Sequence, residues 1–476
     1  MNRNIILLFT LALLLRLLFS FYFQQFYFGS FEFKYGDGLT YLNPILNLIN
    51  LGEYRGDIYF DDSKYFRPPL YPMILGIFYI LSSISILDYV IASFQCIIGA
   101  VSALLIYYII LNITGITKAA IISSFVYASY PFSILWTPLM YTETVQWFLM
   151  LLLIYLSTNG KINILSTILQ GSLVGLIFLT KQYLAIIIII PIYLIIFNSL
   201  YNKIHKIIHL LVLIFSFSLT LSPWIVRNYI SSGQVIVFFG KTSGLRNTLD
   251  DHISFIEFAN KFDENTTKYV KSVVETGVVK FTKHPNFLLA HDQEISEASL
   301  LAYQCGGSFQ QRRLPIPLEQ PPYQNCNQEV VQKFNSLSNK FWREVPLWEA
   351  LETRRDGLWK IVTKSDLVNN QLIINKYSSL KFVLFKYRLL LLLLGFSGML
   401  YLLSRKDRQY LQRRSIESIM ITAMVFYLFF SLILVAAEMR YFLTPDLWIL
   451  LFAGVIPAVL VKRILAIFKN LKNGTK

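Results

Sequence analysis

The residues that could do chemistry in this sequence are charged side chains beside apolar runs. Asp37 lies between two glycines, and residues 40–51 after it combine apolar side chains with asparagines. That stretch is too short to cross a membrane and is typical of an amphipathic helix lying in the membrane interface. A carboxylate held just before such a helix is well placed to act on a lipid headgroup. Because Gly-Asp-Gly is also common in turns, Asp37 could instead be a turn residue or a helix N-cap.

Arg67 is a second candidate, since it precedes two prolines at the start of another apolar run. Its alternative role is that of an interface arginine whose side chain snorkels out of the membrane. Glu143 also stands beside an apolar run, and an unpaired acid costs roughly 3 kcal/mol at the bilayer centre. Such a carboxylate is rarely accidental, although it could be a loop residue at the end of a span. Other charged residues that interrupt or close apolar runs are Lys181, Arg227 and Arg440.

The elements that must position these residues are the apolar runs themselves. Of the 476 residues, 55% are hydrophobic and 15% are charged, against roughly a quarter charged in a typical soluble domain. Apolar runs of about 20 residues cross a bilayer as helices. The sequence therefore predicts an all-α integral membrane protein, a polytopic helical bundle with about 10–11 hydrophobic segments. These segments are residues 5–23, 69–87, 89–111, 118–137, 141–158, 163–179, 183–200, 207–225, 382–403, 416–437 and 441–461.

The basic residues set the expected orientation. A net charge of +15 would suggest a nucleic-acid partner in a soluble protein. Here lysines and arginines concentrate in short loops and in the tail from Lys462, as the positive-inside rule predicts for cytoplasmic segments. We therefore expect membrane lipids rather than nucleic acid as partners, a plasma (inner) membrane location, and both termini in the cytoplasm. The first segment lacks a small-residue cleavage site, so we expect it to be retained as a span.

This orientation predicts three parts of the chain. Residues 1–228 form an N-terminal transmembrane catalytic module that includes a first outer loop at residues 24–68. Residues 229–380 lack a spanning run and form an extracytoplasmic insert domain. Residues 381–476 form C-terminal transmembrane hairpins and a basic cytoplasmic tail.

Segment 118–137 decides on which side of the membrane Glu143 lies. If it crosses fully, Glu143 is cytoplasmic and cannot act beside Asp37. We expect the segment to dip into the membrane and return outward, because Pro131 and Pro138 can interrupt a helix. This arrangement collects the candidate residues on one face.

The insert carries features of a non-cytoplasmic compartment. Asn265 begins a glycosylation sequon, which is weak evidence by itself. Cys305 and Cys326 could form a disulfide in an oxidising compartment, but their spacing cannot show that they come within reach of one another. Cys96 lies in an apolar segment and is read as a buried small side chain. No His and Cys cluster has the spacing of a metal finger.

Taken in order, these motifs resemble those of the GT-C polytopic glycosyltransferases. The resemblance is to the bacterial branch of the dolichyl-phosphate-mannose protein mannosyltransferases, which includes the lipid A aminoarabinose transferases. It covers about residues 1–240 and the end of the chain, and the insert matches no family pattern. No single motif is decisive, but the ordered set is more specific. The set is Asp37, Gly52 to Tyr54, Arg67 to Pro72, Pro138 to Glu143, Gly175 to Lys181, Pro223-Trp224, Arg227-Asn228 and Arg440-Tyr441.

The resemblance implies a reaction at the extracytoplasmic face. A sugar would move from a polyprenyl-phosphate donor to an acceptor hydroxyl on a lipid, glycan or protein, with inversion. Asp37 would be the catalytic base, and Glu143 would orient the acceptor or support a cation. The donor phosphate would be bound by Arg67, Lys181 and Arg227, with Arg440 in the same role.

The sequence departs from the commoner family pattern after Asp37. Many relatives have a second acid there, whereas this chain has Gly38. The metal requirement is therefore unknown, and a divalent cation stays open.

Other classes of protein share some of these features. A polysaccharide ligase or polymerase also uses polyprenyl-linked donors and would carry arginines in a large outer loop, as Arg312-Arg313 and Arg354-Arg355 do. A multi-pass transporter would place its ionisable residues at the membrane midplane and repeat its halves, and neither is seen in the sequence. A membrane receptor with a folded outer domain is the third alternative.

Overall fold

The computed structural model describes an all-helical chain, which confirms the predicted fold class. The described residues are 3–28, 31, 33–34, 37–57, 63–82, 84–159, 163–237, 250–263, 266–305, 324–356, 378–405, 410–433 and 439–474.

Among its described residues, the N-terminal half carries twelve α-helices, with a π-helical stretch at Phe19–Phe23 and a 3₁₀ stretch at Gln182–Ile188. They are α1 (Arg3–Leu18), α2 (Gln24–Phe28), α3 (Gly38–Leu51), α4 (Ser63–Phe66), α5 (Leu70–Leu81), α6 (Leu87–Thr114), α7 (Thr117–Ala128), α8 (Pro131–Leu135), α9 (Glu143–Thr158), α10 (Ile164–Phe178), α11 (Ile189–Ile196) and α12 (Lys203–Ser232).

The second half carries the insert helices and then the C-terminal ones. The insert helices are α13 (Asp250–Ala259), α14 (Thr267–Thr276), α15 (Pro285–Cys305), α16 (Gln324–Glu344) and α17 (Leu347–Ala350). The C-terminal helices are α18 (Ser378–Ser404), α19 (Tyr410–Ile433), α20 (Met439–Leu450) and α21 (Val455–Gly474).

Among the described residues, five helical stretches are long and apolar enough to cross a membrane. Four shorter apolar helices accompany them: Leu70–Leu81, Glu143–Thr158, Ile164–Phe178 and Gln182–Ile196. The long stretches are Arg3–Phe26, Leu87–Thr114, Lys203–Ser232, Val383–Ser404 and Leu443–Ile467.

Helix α6 runs antiparallel to α1, so its start lies at the same end of the bundle as Asp37. The Ser20 hydroxyl lies 3.4 Å from the Cys96 thiol. Lys34 Nζ, just before Asp37, forms an ion pair with Asp88 at 3.0 Å. We call this end of the bundle the Asp37 end.

Residues 117–142 then run back along α6 to the Asp37 end. The Ser124 hydroxyl donates to the Ala103 carbonyl at 2.7 Å, and the Gln95 amide donates to the Leu139 carbonyl at 2.7 Å. The expectation that segment 118–137 dips in and turns back is therefore wrong.

The segment that turns back is residues 69–87, for which the sequence predicts a span. Helix α5 has only 12 residues, about 18 Å of helix, and is followed closely by α6 at the Asp37 end. A Cβ on Gly76 of α5 would overlap Ile45 of α3, so the apolar face of α5 packs on α3. Glu143 still arrives at the Asp37 end, by a different route.

The predicted interruption near Pro131 is present, and Arg16 supports it. Helices α7 and α8 are separated at Ser129 and Tyr130. The fully buried Arg16 guanidinium donates to the Ala128 carbonyl at 3.3 Å and to the Ser133 hydroxyl at 3.1 Å. A buried arginine thus satisfies the Ala128 carbonyl, which the helix break leaves without a partner in α7.

The C-terminal helices are joined by a buried ion pair. Arg388 of α18 lies 2.6 Å from Asp446 of α20, and their side chains are 2% and 0% exposed. The Tyr427 hydroxyl of α19 donates to the same carboxylate at 2.5 Å. The predicted span 441–461 divides into α20 and α21 at a turn over residues 451–454.

The insert helices build a hydrophobic core of their own. Phe258, Phe262 and Phe341 lie within it. Cys305 is disulfide-bonded, whereas Cys96 is a free buried thiol. Asn265 and the side chain of Cys326 lie outside the described residues. The three-part division of the chain stays a prediction.

Two glycines of α10 allow its close packing on α12. A Cβ on Gly171 would overlap the backbone carbonyl of Leu213 and the Ser216 hydroxyl, and one on Gly175 would overlap Thr220. Small residues four apart are the usual means by which membrane helices approach closely.

We predict that Gly171→Ala destabilises the protein, although alanine favours helix formation by about 1 kcal/mol. The added methyl must push α10 away from the α12 backbone, which cannot rotate aside as a side chain can. Thermal unfolding of the purified protein in detergent measures the effect. Leu169→Ala, on the exposed face of the same helix, is the control. An unfolding temperature at or above wild type for Gly171→Ala would contradict the packing argument.

Candidate active site

Asp37 occupies the N-cap position of α3, but its carboxylate does not cap the helix. The backbone carbonyl of Asp37 instead accepts bonds from the Thr40 amide at 2.9 Å and hydroxyl at 2.6 Å. The carboxylate turns to Arg67, with Oδ1 3.5 Å from Nη2. The backbone of Asp37 therefore does form a turn at the start of α3, while its side chain takes part in a charged pair.

Aromatic rings fix the Arg67 guanidinium. Its Cζ lies 4.4 Å above the Tyr41 ring and 5.2 Å from that of Phe66. Nη1 donates to the Tyr41 hydroxyl at 3.4 Å. Nε is buried and has no hydrogen-bond partner among the described residues. Arg67 is only 18% exposed, so it is a positioned cation rather than a snorkelling one.

The segment before α9 holds the Asp37 loop from the other side. The Met140 amide donates to the Phe33 carbonyl at 2.7 Å. The Asp37 amide donates to the Tyr141 hydroxyl at 3.0 Å. Sequence reasoning missed Tyr141 as a positioning residue; its one signal was its place two residues before Glu143.

Glu143 and Lys181 form a buried ion pair. Lys181 Nζ lies 2.7 Å from Glu143 Oε1, and the side chains are 10% and 2% exposed. Glu143 is the first residue of α9, and Lys181 lies just beyond the end of α10. The pair therefore joins the ends of two helices.

Tyrosines lie between this pair and the Asp37–Arg67 pair. The Tyr41 ring makes edge contacts with those of Tyr71 at 5.6 Å and Tyr141 at 6.3 Å. The Leu70 amide donates to the Leu179 carbonyl at 3.0 Å, which brings the end of α10 to the start of α5. The predicted residues Asp37, Arg67, Glu143 and Lys181 therefore meet at one end of the bundle.

Arg227 joins the same region through Tyr54. Its guanidinium donates to the carbonyls of Tyr54 at 2.7 Å and Lys64 at 2.9 Å. The Tyr54 hydroxyl donates to the Arg67 carbonyl at 2.9 Å. Burial raises the pKa of Tyr54, and the charges of Arg227 and then Arg67 oppose that rise. Both arginines therefore lie close enough to Tyr54 for their charges to lower its pKa.

A cavity of about 580 Å³ opens beside Arg227. Its walls are mainly apolar and come from α3, α5, the end of α10 and α12. Lys64 and Glu53 are its other charged lining residues, while Arg67 and Lys181 do not line it. A largely apolar cavity with cations on one side suits an amphiphile with an anionic headgroup.

Two predictions about the site have no structural outcome. The side chain of Arg440 lies outside the described residues. No group of three or more His, Cys, Asp or Glu side chains that could hold a metal ion occurs in the described part of the chain.

Comparison with known proteins identifies the architecture. Residues 66–226 match a family model described as dolichyl-phosphate-mannose-protein mannosyltransferase. The chain aligns with the crystal structure of the apo oligosaccharyltransferase of Archaeoglobus fulgidus at a TM-score of 0.51 and 14% identity, over 99% of this chain and 52% of that one. This chain has the GT-C fold.

A second structure of the archaeal enzyme, AglB with an inhibitory peptide and a dolichol-phosphate, aligns at a TM-score of 0.50, 14% identity and the same coverage. The chain thus spans about half the length of these GT-C structures. ArnT from Cupriavidus metallidurans aligns at a TM-score of 0.35 and 11% identity, over 89% of this chain and 73% of that one, which is too low to support an argument. No protein of curated function matches the sequence.

We predict that Lys181→Met destabilises the protein by about 3–5 kcal/mol, because it leaves the buried Glu143 carboxylate without its cation. The double variant Glu143→Gln with Lys181→Met should recover most of this loss. Thermal unfolding in detergent compares the two variants. If the single variant is as stable as wild type, the pair does not hold the ends of α9 and α10 together.

Proposed function

We propose that this protein is a membrane glycosyltransferase that moves a sugar from a polyprenyl-phosphate donor to an acceptor hydroxyl, with inversion. The observation that carries the proposal is the Asp37–Arg67 pair, which lies near a largely apolar cavity edged by cations. The GT-C fold and the mannosyltransferase family match support the reaction class.

The donor is assigned to the cavity. Its apolar walls suit an isoprenoid chain, and Lys64 and Arg227 line it. The structure of archaeal AglB, which shares the fold, is known in complex with a dolichol-phosphate. We assign Arg67 and Arg227 to the donor phosphate, with Lys64 as an additional cation, since guanidinium groups pair well with phosphate oxygens.

Asp37 is assigned as the base. Its carboxylate takes the acceptor proton while the acceptor oxygen attacks the anomeric carbon. The bond from that carbon to the phosphate oxygen breaks, and the phosphate leaves with the electron pair. Arg67 lies against both the carboxylate and the Tyr41 ring, so it is placed to stabilise the developing phosphate charge.

Glu143 and Lys181 are assigned a supporting role. Because each neutralises the other inside the bundle, Lys181 is not available to the donor while the pair is intact. Their pairing holds the start of α9 to the end of α10, next to the tyrosines that contact Asp37 and Arg67. We therefore do not assign Lys181 to the donor phosphate, and we assign Lys64 in its place.

The proposed working face is extracytoplasmic. Helix α11 ends and α12 begins at the end of the bundle opposite Asp37, where Lys203 and Lys206 lie. The end of α18 and the start of α19, with Arg405 and Arg413, lie at that same end of the bundle, since the Arg414 guanidinium donates to the Tyr193 hydroxyl of α11 at 3.2 Å. The positive-inside rule assigns this basic end to the cytoplasm, with both termini there, in the plasma membrane.

We predict that Asp37→Asn lowers sugar transfer by at least about 100-fold, since it removes the base, without weakening donor binding. Transfer from a radiolabelled polyprenyl-phosphate sugar in native membranes measures the rate. Asp57→Asn, in the exposed loop after α3, is the matched control and should retain activity. Transfer by Asp37→Asn at the wild-type rate would exclude Asp37 as the base.

We predict that Arg67→Gln weakens binding of polyprenyl phosphate by about tenfold, because it removes a charge-assisted phosphate contact. Binding is measured by titration of the purified protein in detergent. Lys34→Gln is the control, since Lys34 is an ion-paired cation of the same outer loop outside the proposed site. Equal affinities for the two variants would remove Arg67 from the phosphate site.

A further inference from the structure

Glu53 is the acidic residue that lines the cavity. It follows Gly52, which ends α3 in the left-handed conformation at φ +73°, and it shares the lining with Lys64 and Arg227. Its Oε2 lies 3.1 Å from Arg55 Nη1 and 3.5 Å from Lys64 Nζ. Two cations therefore share one carboxylate oxygen.

The carboxylate is the outermost member of this group. The Glu53 side chain is 51% exposed, against 15% for Arg55 and 22% for Lys64. An exposed ion pair contributes little to stability, so Glu53 can rotate toward solvent while the cations stay. Arg227 is held separately by backbone carbonyls, within electrostatic reach of Glu53.

The charge of the lipid changes during the proposed reaction. The donor is a phosphodiester with one negative charge. The product is a phosphate monoester, which carries close to two charges at pH 8. A carboxylate near the headgroup repels the product about twice as strongly as the donor, because the Coulomb energy scales with charge.

We propose that Glu53 is a specificity residue that weakens the cavity's hold on the monoester product relative to the phosphodiester donor. The inference rests on the proposed function, since it takes the cavity as the donor site. Glu53 does not contact the reacting atoms. It sets the net charge that Arg55, Lys64 and Arg227 present to the headgroup, and so favours release of the spent lipid.

The test compares two soluble probes, farnesyl phosphate and its methyl diester. Their affinities for the purified full-length protein are measured in detergent at pH 8. For Glu53→Gln we expect the diester to bind roughly threefold tighter and the monoester roughly tenfold tighter, so the ratio of monoester to diester affinity rises about threefold. Glu53→Asp keeps the charge and should keep the wild-type ratio.

The matched control is Glu294→Gln. Glu294 is a half-exposed glutamate paired with Lys340 at 2.6 Å in the insert, so its removal should change neither affinity. Thermal unfolding of each variant in the same detergent confirms that it is folded.

The outcomes separate this inference from the donor assignment. Equal changes in the two affinities, no change, or weaker binding of both probes by Glu53→Gln would mean that Glu53 only holds Lys64 and Arg55 in place. That result would overturn the inference and leave the donor site standing. Failure of the wild-type protein to bind either probe would overturn the donor assignment, and the inference with it.

Discussion

The bond from the Met140 amide to the Phe33 carbonyl joins the two parts of the chain on which the site depends. Together with the bond from the Asp37 amide to the Tyr141 hydroxyl, it fixes the loop before α3 to the segment before α9. This joint fixes the backbone of Asp37 relative to Glu143, which begins α9. The same joint requires residues 117–142 to return to the Asp37 end, and on that return Arg16 donates to Ala128 and Ser133 at the helix break.

Buried charges impose a second constraint on the bundle. Glu143 with Lys181, and Arg388 with Asp446, are paired inside an apolar interior. Breaking a buried pair is costly because the remaining charge has no solvent. Such pairs therefore fix which helices meet: the start of α9 with the end of α10, and α18 with α20. The Asp37–Arg67 pair differs, since its members are 34% and 18% exposed and a ligand can separate them at smaller cost.

The sequence predicted the fold class and the gathering of Asp37, Arg67, Glu143 and Lys181, but the route was partly wrong. Hydropathy predicts that α5 is a span because the helix is apolar. Its apolar side chains instead serve packing, since Gly76 lies against Ile45 of α3. Composition cannot distinguish those two uses of an apolar face. The Glu143–Lys181 pair could not be predicted from the sequence either, because residues 38 positions apart meet only after two helices fold back on each other. The aromatic contacts that hold Arg67 likewise depend on how α3 and α5 pack.

The position of Arg67 bears on how the proposed reaction proceeds. In an inverting displacement the attacking and leaving oxygens lie on opposite sides of the anomeric carbon. Asp37 must therefore face the acceptor while the phosphate lies away from it. The cavity is lined by α3, α5 and α12 and by Tyr54, whose hydroxyl donates to the Arg67 carbonyl, whereas Asp37 does not line it. Arg67 can then contact the phosphate while Asp37 contacts the acceptor. In this arrangement the Arg67 guanidinium, rather than the Asp37 carboxylate, is the group that must exchange partners. As the donor binds, Arg67 gives up its contact with Asp37 for one with the phosphate.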